Sequence, residues 1–233
     1  METNRPRVLR LSREERICQI LAAATREFRA SGFDGASMSA IAAGAGVVEG
    51  SIYRFFSNKA ELLTRCIEVW YEDMLEHYAA ELARIRGTRA RLRFMIWRHL
   101  KTVHDEPEMC RLMFNQVRGS ETYRKTQVYR LNSLYTARTV DIVREGIEAG
   151  ELRPDLDLKL VRDLIYGGVE HRVWTFLWGG GELDPDAVAD AMIDLLFGGI
   201  NGIGDMANRV ATVEEKLILA VKNVNHRTRE ERQ

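Results

Sequence analysis

An all-α fold is predicted: a small N-terminal three-helix unit joined to a larger helical C-terminal unit. Three observations predict it. Apolar residues recur at three- and four-residue steps along most of the chain, and caps and glycines punctuate these runs at helix-length intervals. Sustained alternation of period two between hairpin turns is found nowhere. With 233 residues, 45% hydrophobic and 29% charged, there is enough apolar surface for a small unit plus a medium one.

Ser12 and Glu15 form an S-x-x-E capping box ahead of the first helix. Ile17, Ile20, Leu21, Ala24 and Phe28 define its buried face, and Gly32 is placed to end it. Two short segments come next, Ser37 to Ala45 and roughly Glu49 to Phe56, joined through Gly46, Val47 and Val48. This is helix-turn-helix spacing, which holds the second helix so that it can enter a major groove. Met38, Ile41, Ala42 and Ala45 face Val47, Ile52 and Phe56 across a small core. The opposite side carries Glu49, Gly50, Ser51, Tyr53 and Arg54, a small hydroxyl-bearing surface suited to phosphate oxygens and base edges.

Ser57 is placed to cap a fourth helix running from Asn58 to about Arg86 before Gly87. Its Leu62 and Leu63 are expected to pack on the front unit, and Val69, Trp70, Met74 and Leu75 on the helices of the rear unit. A fifth helix spans Thr88 to about Asp105. Pro107 opens a sixth that holds Met109, Leu112, Met113 and Phe114 and stops near Gly119. Ser120 to about Ala149 reads as one long helix closed by Gly150. Asp157 to about Trp178 and Asp186 to about Gly199, the latter capped by Asp184 and opened at Pro185, are two adjacent apolar helices suited to an intersubunit four-helix bundle. Gly167 and Gly168 allow close backbone approach there, between subunits or within one. A last helix is expected from the Thr212–Glu215 capping box, with a polar tail after it. The glycine run 198–204 comes after a helix rather than a strand, which excludes a nucleotide loop.

From Ile17 to Leu63 the combined pattern is specific: Gly-Phe after the first helix, Ile-Ala, Ala-Gly-Val, Gly-Ser-Ile-Tyr-Arg-Phe-Phe and Asn-Lys-Ala-Glu-Leu-Leu. It resembles the TetR family of bacterial transcriptional regulators. The resemblance implies an N-terminal DNA-binding domain at 1–57, a helical effector-binding and dimerisation domain at 58–233, and a phosphate contact at Lys59. The candidate DNA-binding residues are Ser37, Glu49, Gly50, Ser51, Tyr53, Arg54, Phe55 and Lys59. The chain departs from the family pattern twice: Val48 stands where a capping Ser is usual, and Phe55 where many members carry a phosphate-contacting His.

Lys plus Arg and Asp plus Glu both number 34, so net charge offers no argument for nucleic acid. Arg5, Arg7 and Arg10 form a short basic arm, read either as a backbone contact or as a solubilising tail. Cys18, Cys66 and Cys110 are unpaired in pattern and read as reduced thiols of a cytoplasmic protein. The N-terminus has no apolar signal-peptide core, and no run is long and apolar enough for a membrane span. Metal-ligand spacing, a nucleophile elbow and a P-loop are all missing, so neither catalytic residues, a metal nor a cofactor are expected.

Large adaptable side chains cluster in mid-chain, where Met95, Met113, Phe114, Tyr166, Glu170, Trp174 and Trp178 are candidates to line a pocket for a small apolar or amphipathic effector. Tyr166, Glu170, Trp174 and Trp178 share a helix face at four-residue steps. Glu170 there either orients a ligand's polar end or pairs with Arg172 across a dimer. The expected function is a homodimeric, ligand-responsive repressor on a near-palindromic double-stranded DNA operator. The rival is a helical small-molecule- or partner-binding module whose degenerate helix-turn-helix no longer binds DNA.

Overall fold

The computed structural model describes residues 12–200. The basic arm, residues 201–204 of the glycine run and the expected last helix lie outside the described residues.

Helix α1 (Arg13–Gly35) begins at its capping box: Ser12 Oγ accepts from Glu15 N at 3.1 Å, and Glu15 Oε2 accepts from Ser12 N at 2.7 Å. Gly32 adopts φ +68° and breaks the regular helix three residues before its end, a conformation that costs other residues strain. Ser37 caps α2 (Met38–Gly44) through Ala40 N at 3.1 Å. Helix α3 (Glu49–Ile52) is shorter than the predicted Glu49–Phe56 segment. The amides of Phe55 and Phe56 both turn onto the Ile52 carbonyl, which ends the regular ladder and brings Phe56 into the core.

Helix α4 (Lys59–Leu82) is capped by Asn58 rather than Ser57. Asn58 Oδ1 accepts from Glu61 N at 2.9 Å, while Ser57 N donates to Glu61 Oε2 at 2.7 Å. The helix stops short of Arg86, in tightened turns through Arg84 and Ile85. Then come α5 (Thr88–Asp105) and α6 (Pro107–Leu112), which runs directly into a π-helical stretch, Met113–Arg118. The long helix expected from Ser120 begins later. A 3₁₀ turn (Tyr123–Lys125) intervenes, and Thr126 Oγ1 caps α7 (Gln127–Glu148) by accepting from Tyr129 N at 3.2 Å. Asp184 caps α9 (Pro185–Ile200) as predicted, and Asp157, where the preceding segment was expected to begin, caps α8 (Leu158–Leu177). No strand occurs among the described residues.

Two apolar clusters hold the chain together. The front one joins Ile20, Ala24, Phe28, Ile41 and Ile52 to Leu62, Leu63, Cys66 and Ile67 of α4, and continues into Met109, Met113 and Val117. The rear one gathers Tyr78 and Leu82 at the far end of α4 with the inner faces of α5, α7, α8 and α9. Helix α4 is thus a wall of both. An Arg29–Glu106 ion pair at 2.8 Å adds a second tie between front and rear. Arg93 pairs with Asp186 and Asp190, and Arg89 with Asp194, lashing α5 to α9. At Gly146 a Cβ would stand 2.7 Å from the Thr88 side chain, so α7 meets the start of α5 only because that residue is glycine.

Candidate DNA-reading surface and effector cavity

The helix-turn-helix presents Val48, Glu49, Gly50, Tyr53 and Arg54 to solvent, with Ser51 and Phe55 half-buried. Val48 is 75% exposed and makes no capping bond, which forgoes about 1 kcal/mol of helix stabilisation. A Cβ on Gly50 would meet nothing within 4 Å. Packing within the chain therefore does not require glycine there, and the position stays open to approach from outside. Tyr53 is 48% exposed, its hydroxyl 3.5 Å from Glu49 Oε1. Arg13 lies over the Phe55 ring at 5.7 Å, which sets a cation beside the helix-turn-helix.

Lys59, for which the resemblance implies a phosphate contact, is tied to the backbone within the chain. Its Nζ donates to the carbonyls of Phe33 at 2.7 Å and Ala36 at 2.9 Å, and lies 4.6 Å from the centre of the Phe33 ring. The ammonium closes off the chain after α1, where backbone carbonyls would otherwise lack partners. Ser37 spends its Oγ on the α2 cap and on Ser39 at 3.1 Å.

In the rear half a cavity of about 30 Å³ opens between α4, α5, α6 with its π-helical extension, and α7. Of the seven residues predicted to line it, Met113 and Phe114 do. Met95 instead fills the rear core, because its face of α5 points into the bundle. Tyr166 stands one layer behind the wall, edge-on to His99 and Tyr135, with its hydroxyl on Thr139 at 2.9 Å. Within the chain, Glu170 Oε2 accepts from Arg118 Nη2 at 3.0 Å. Trp174 and Trp178 stack on each other at 4.0 Å and are about half exposed, outside the cavity.

The walls that the sequence did not single out are Trp70, Met74 and Tyr78 of α4, His99 and Thr102 of α5, and Tyr135 of α7. Trp70 and Met74 were legible as buried by their spacing; nothing local distinguishes a cavity wall from core. Some of the polar groups here are paired. Tyr78 Oη shares a hydrogen bond with Thr102 Oγ1, and Tyr71 Oη donates to Asn132 at 3.4 Å. Among the described residues the buried Tyr135 hydroxyl has no partner. The nearby Tyr166 hydroxyl pushes its pKa further above the level that burial sets, but lies outside hydrogen-bonding geometry. Burial first, then the charge of Arg118, lowers the His99 imidazole to about 4, so it is neutral near pH 7. Burial raises the Cys110 thiol to about 12, leaving it protonated and inert. No cluster of metal-ligating side chains occurs among the described residues, and no helix among them is long and apolar enough to cross a membrane.

This architecture recurs in known proteins. The family model of bacterial regulatory proteins of the tetR family matches residues 20–66, and the tetracyclin repressor-like C-terminal domain matches 86–200. The fatty acid metabolism regulator protein of Bacillus subtilis (strain 168) is 24% identical over 159 residues, 68% of this chain and 82% of that protein. The transcriptional repressor KstR2 of Mycobacterium tuberculosis is 28% identical over 165 residues, 67% of this chain and 77% of that one. In fold, the chain is similar to the transcriptional regulator FadR from Bacillus subtilis in complex with stearoyl-CoA, with TM-score 0.68, 24% identity, and 78% and 98% of the two chains covered. For the ketosteroid regulator KstR2 of M. tuberculosis the TM-score is 0.55 at 22% identity, covering 83% of this chain and 98% of that one. With a helix-turn-helix whose outer face is open, a helical rear half enclosing a cavity, and both halves matched in order, the chain belongs to the TetR family of DNA-binding transcriptional regulators.

Proposed function

We propose that the protein is a homodimeric repressor that leaves its operator when a long apolar or amphipathic molecule enters the cavity behind α4. The observation that carries this reading is the double duty of α4. Its N-terminal half is a wall of the reading head, while Trp70, Met74 and Tyr78 further along line the cavity. A guest that widens the cavity pushes on the same rod that positions the head. Met74 and Met113, flexible and polarizable, suit a wall that must yield. About 30 Å³ holds little more than a water-sized group, so the guest acts only by favouring an opened arrangement over the closed one. A fatty acid metabolism regulator and a ketosteroid transcriptional regulator among the similar proteins support an apolar effector.

The dimer face we assign is α8 with α9. Leu160, Leu164, Trp174 and Trp178 form an exposed apolar stripe along α8, joined by Leu195 of α9 at 79% exposure. A Cβ on Gly168 would stand 3.2 Å from the Met192 methyl within the chain, whereas one on Gly167 would meet nothing within 4 Å, which leaves room for a close partner. Two heads so joined meet major-groove segments roughly 34 Å apart, hence a near-palindromic operator. Ser37, Ser51 and Tyr53 serve the phosphates, and Glu49 and Arg54 the bases or backbone; Lys59 acts chiefly by fixing the end of α1. No catalytic role is assigned, and the place of action is the cytoplasm. The test is Tyr53→Ala in a gel-shift titration on the protein's own upstream DNA at fixed salt. We expect at least about a tenfold loss of operator affinity with an unchanged thermal melt. Unchanged affinity favours the rival reading, a binding module with a silent head.

A further inference from the structure

Behind one wall of the cavity lies a charged cluster that the reading above leaves unused. Arg118, last residue of the π-helical stretch, holds its guanidinium carbon 5.3 Å from the centre of the Phe114 ring. The same guanidinium pairs with Glu170 at 3.0 Å, and Trp174, one turn along α8, meets Phe114 edge-on at 5.9 Å. Phe114, half-buried and lining the cavity, is thus gripped from two sides. The charge of Arg118 is felt on the walls: it favours the deprotonated forms of His99 and Tyr71. Glu170 and Arg118 are each about two-fifths exposed, 41% and 39%, so their pairing is weak enough to be exchanged.

We propose that Arg118 reads the head of the effector: the effector carries an anionic group, a carboxylate or a phosphate, that displaces Glu170 from Arg118 while its apolar tail takes the place of Phe114 in the cavity. This inference rests on the apolar-effector reading. The exchange is of one anion for another on a guanidinium whose planar fork suits either, so Arg118 stays paired while the displaced Glu170, 41% exposed, turns its charge to solvent. A cation on Glu170 would instead approach Arg118 as a like charge, with Phe114 still in place. The neighbouring Arg111 has its Nε on the Leu177 carbonyl at 2.7 Å and its Nη1 on Glu108 at 3.0 Å, which leaves Arg118 to answer the incoming charge.

The test is calorimetric titration of the full-length protein with palmitate, palmitoyl-CoA and 1-hexadecanol, each below its micellar concentration. Arg118→Gln is expected to weaken the two anionic ligands on the order of fivefold and leave hexadecanol within about twofold. Arg118→Lys restores most of the loss, and Glu170→Gln tightens the anionic ligands by removing their competitor. Binding of palmitate alone identifies a carboxylate head, and binding of palmitoyl-CoA alone a phosphate head; either supports the proposal if it depends on Arg118. Equal weakening of all three ligands by Arg118→Gln overturns the proposal, because Arg118 then acts only by holding Phe114. Binding that ignores Arg118 overturns it while leaving the apolar effector standing. If none of the three binds, the effector reading falls and the proposal falls with it.

Discussion

In the front cluster Ile20, Ala24, Phe28, Ile41 and Ile52 are enclosed almost completely, and the polar side chains nearby are spent on caps and chain ends. In the rear cluster, among the described residues, Trp97 Nε1, Arg98 Nε and Tyr135 Oη are buried without hydrogen bonds, and a neutral histidine lines a void. The front half is packed as a rigid body that must hold a fixed shape against DNA. The rear half carries unsatisfied groups and space, which cost stability in the absence of a guest and leave alternatives close in energy.

The sharpest way to break this contrast is to open a hole in the front half. Phe28→Ala, at a fully enclosed position of the head, is expected to cost about 3–5 kcal/mol and abolish operator binding, read from urea melts and gel shifts. A loss under about 1 kcal/mol would mean that the head is as pliable as the rear. A smaller effect comes from acid. The His99 imidazole sits at about 4 in the fold, against about 6.5 in the unfolded chain, so the unfolded state binds the extra proton. Its stabilising contribution is complete above pH 6.5 and fades as pH falls toward 4, by at most about 3 kcal/mol. Urea melts at pH 7 and pH 4.5 should differ less in His99→Gln than in the parent by that margin. The smallest effect is Tyr135→Phe. Deleting a hydroxyl that has no partner should leave stability unchanged or raise it by up to about 1 kcal/mol. A clear loss in thermal denaturation would show that the group is satisfied and that the rear is better packed than its geometry implies.

Local signals predicted the fold well because most of its helix boundaries are written in adjacent residues. Ser12 with Glu15, Ser37, Asp157, and Asp184 with Pro185 each act within four positions, and the structure uses every one. Where two cap-forming residues stand side by side, as Ser57 and Asn58 do, the letters do not choose, and the reciprocal bonds of Glu61 decide. The π-helical stretch has no signature of its own, and the delayed start of α7 depends on Thr126 outcompeting Ser120 as a cap. The cavity was the least legible part. Met113 and Phe114 were found because the mid-chain is rich in such residues, yet Met95, on the neighbouring helix, turned out to be core. Whether an apolar side chain meets another or meets space depends on how four helices cross. Glu170 makes the same point: its partner Arg118 lies 52 positions away, beyond the reach of helical spacing.

The sharing of α4 bears on how such proteins can be recombined. Leu62, Leu63, Cys66 and Ile67 complete the core of the head, whereas Tyr78 and Leu82 belong to the rear. A chimera cut after residue 57 would graft a head stripped of one side of its interior onto a foreign rod. A splice between Ile67 and Tyr78 keeps the α4 side of each interior with its own unit, and a different sensor inherits this reader there if it reproduces the contacts of Met109, Met113 and Val117.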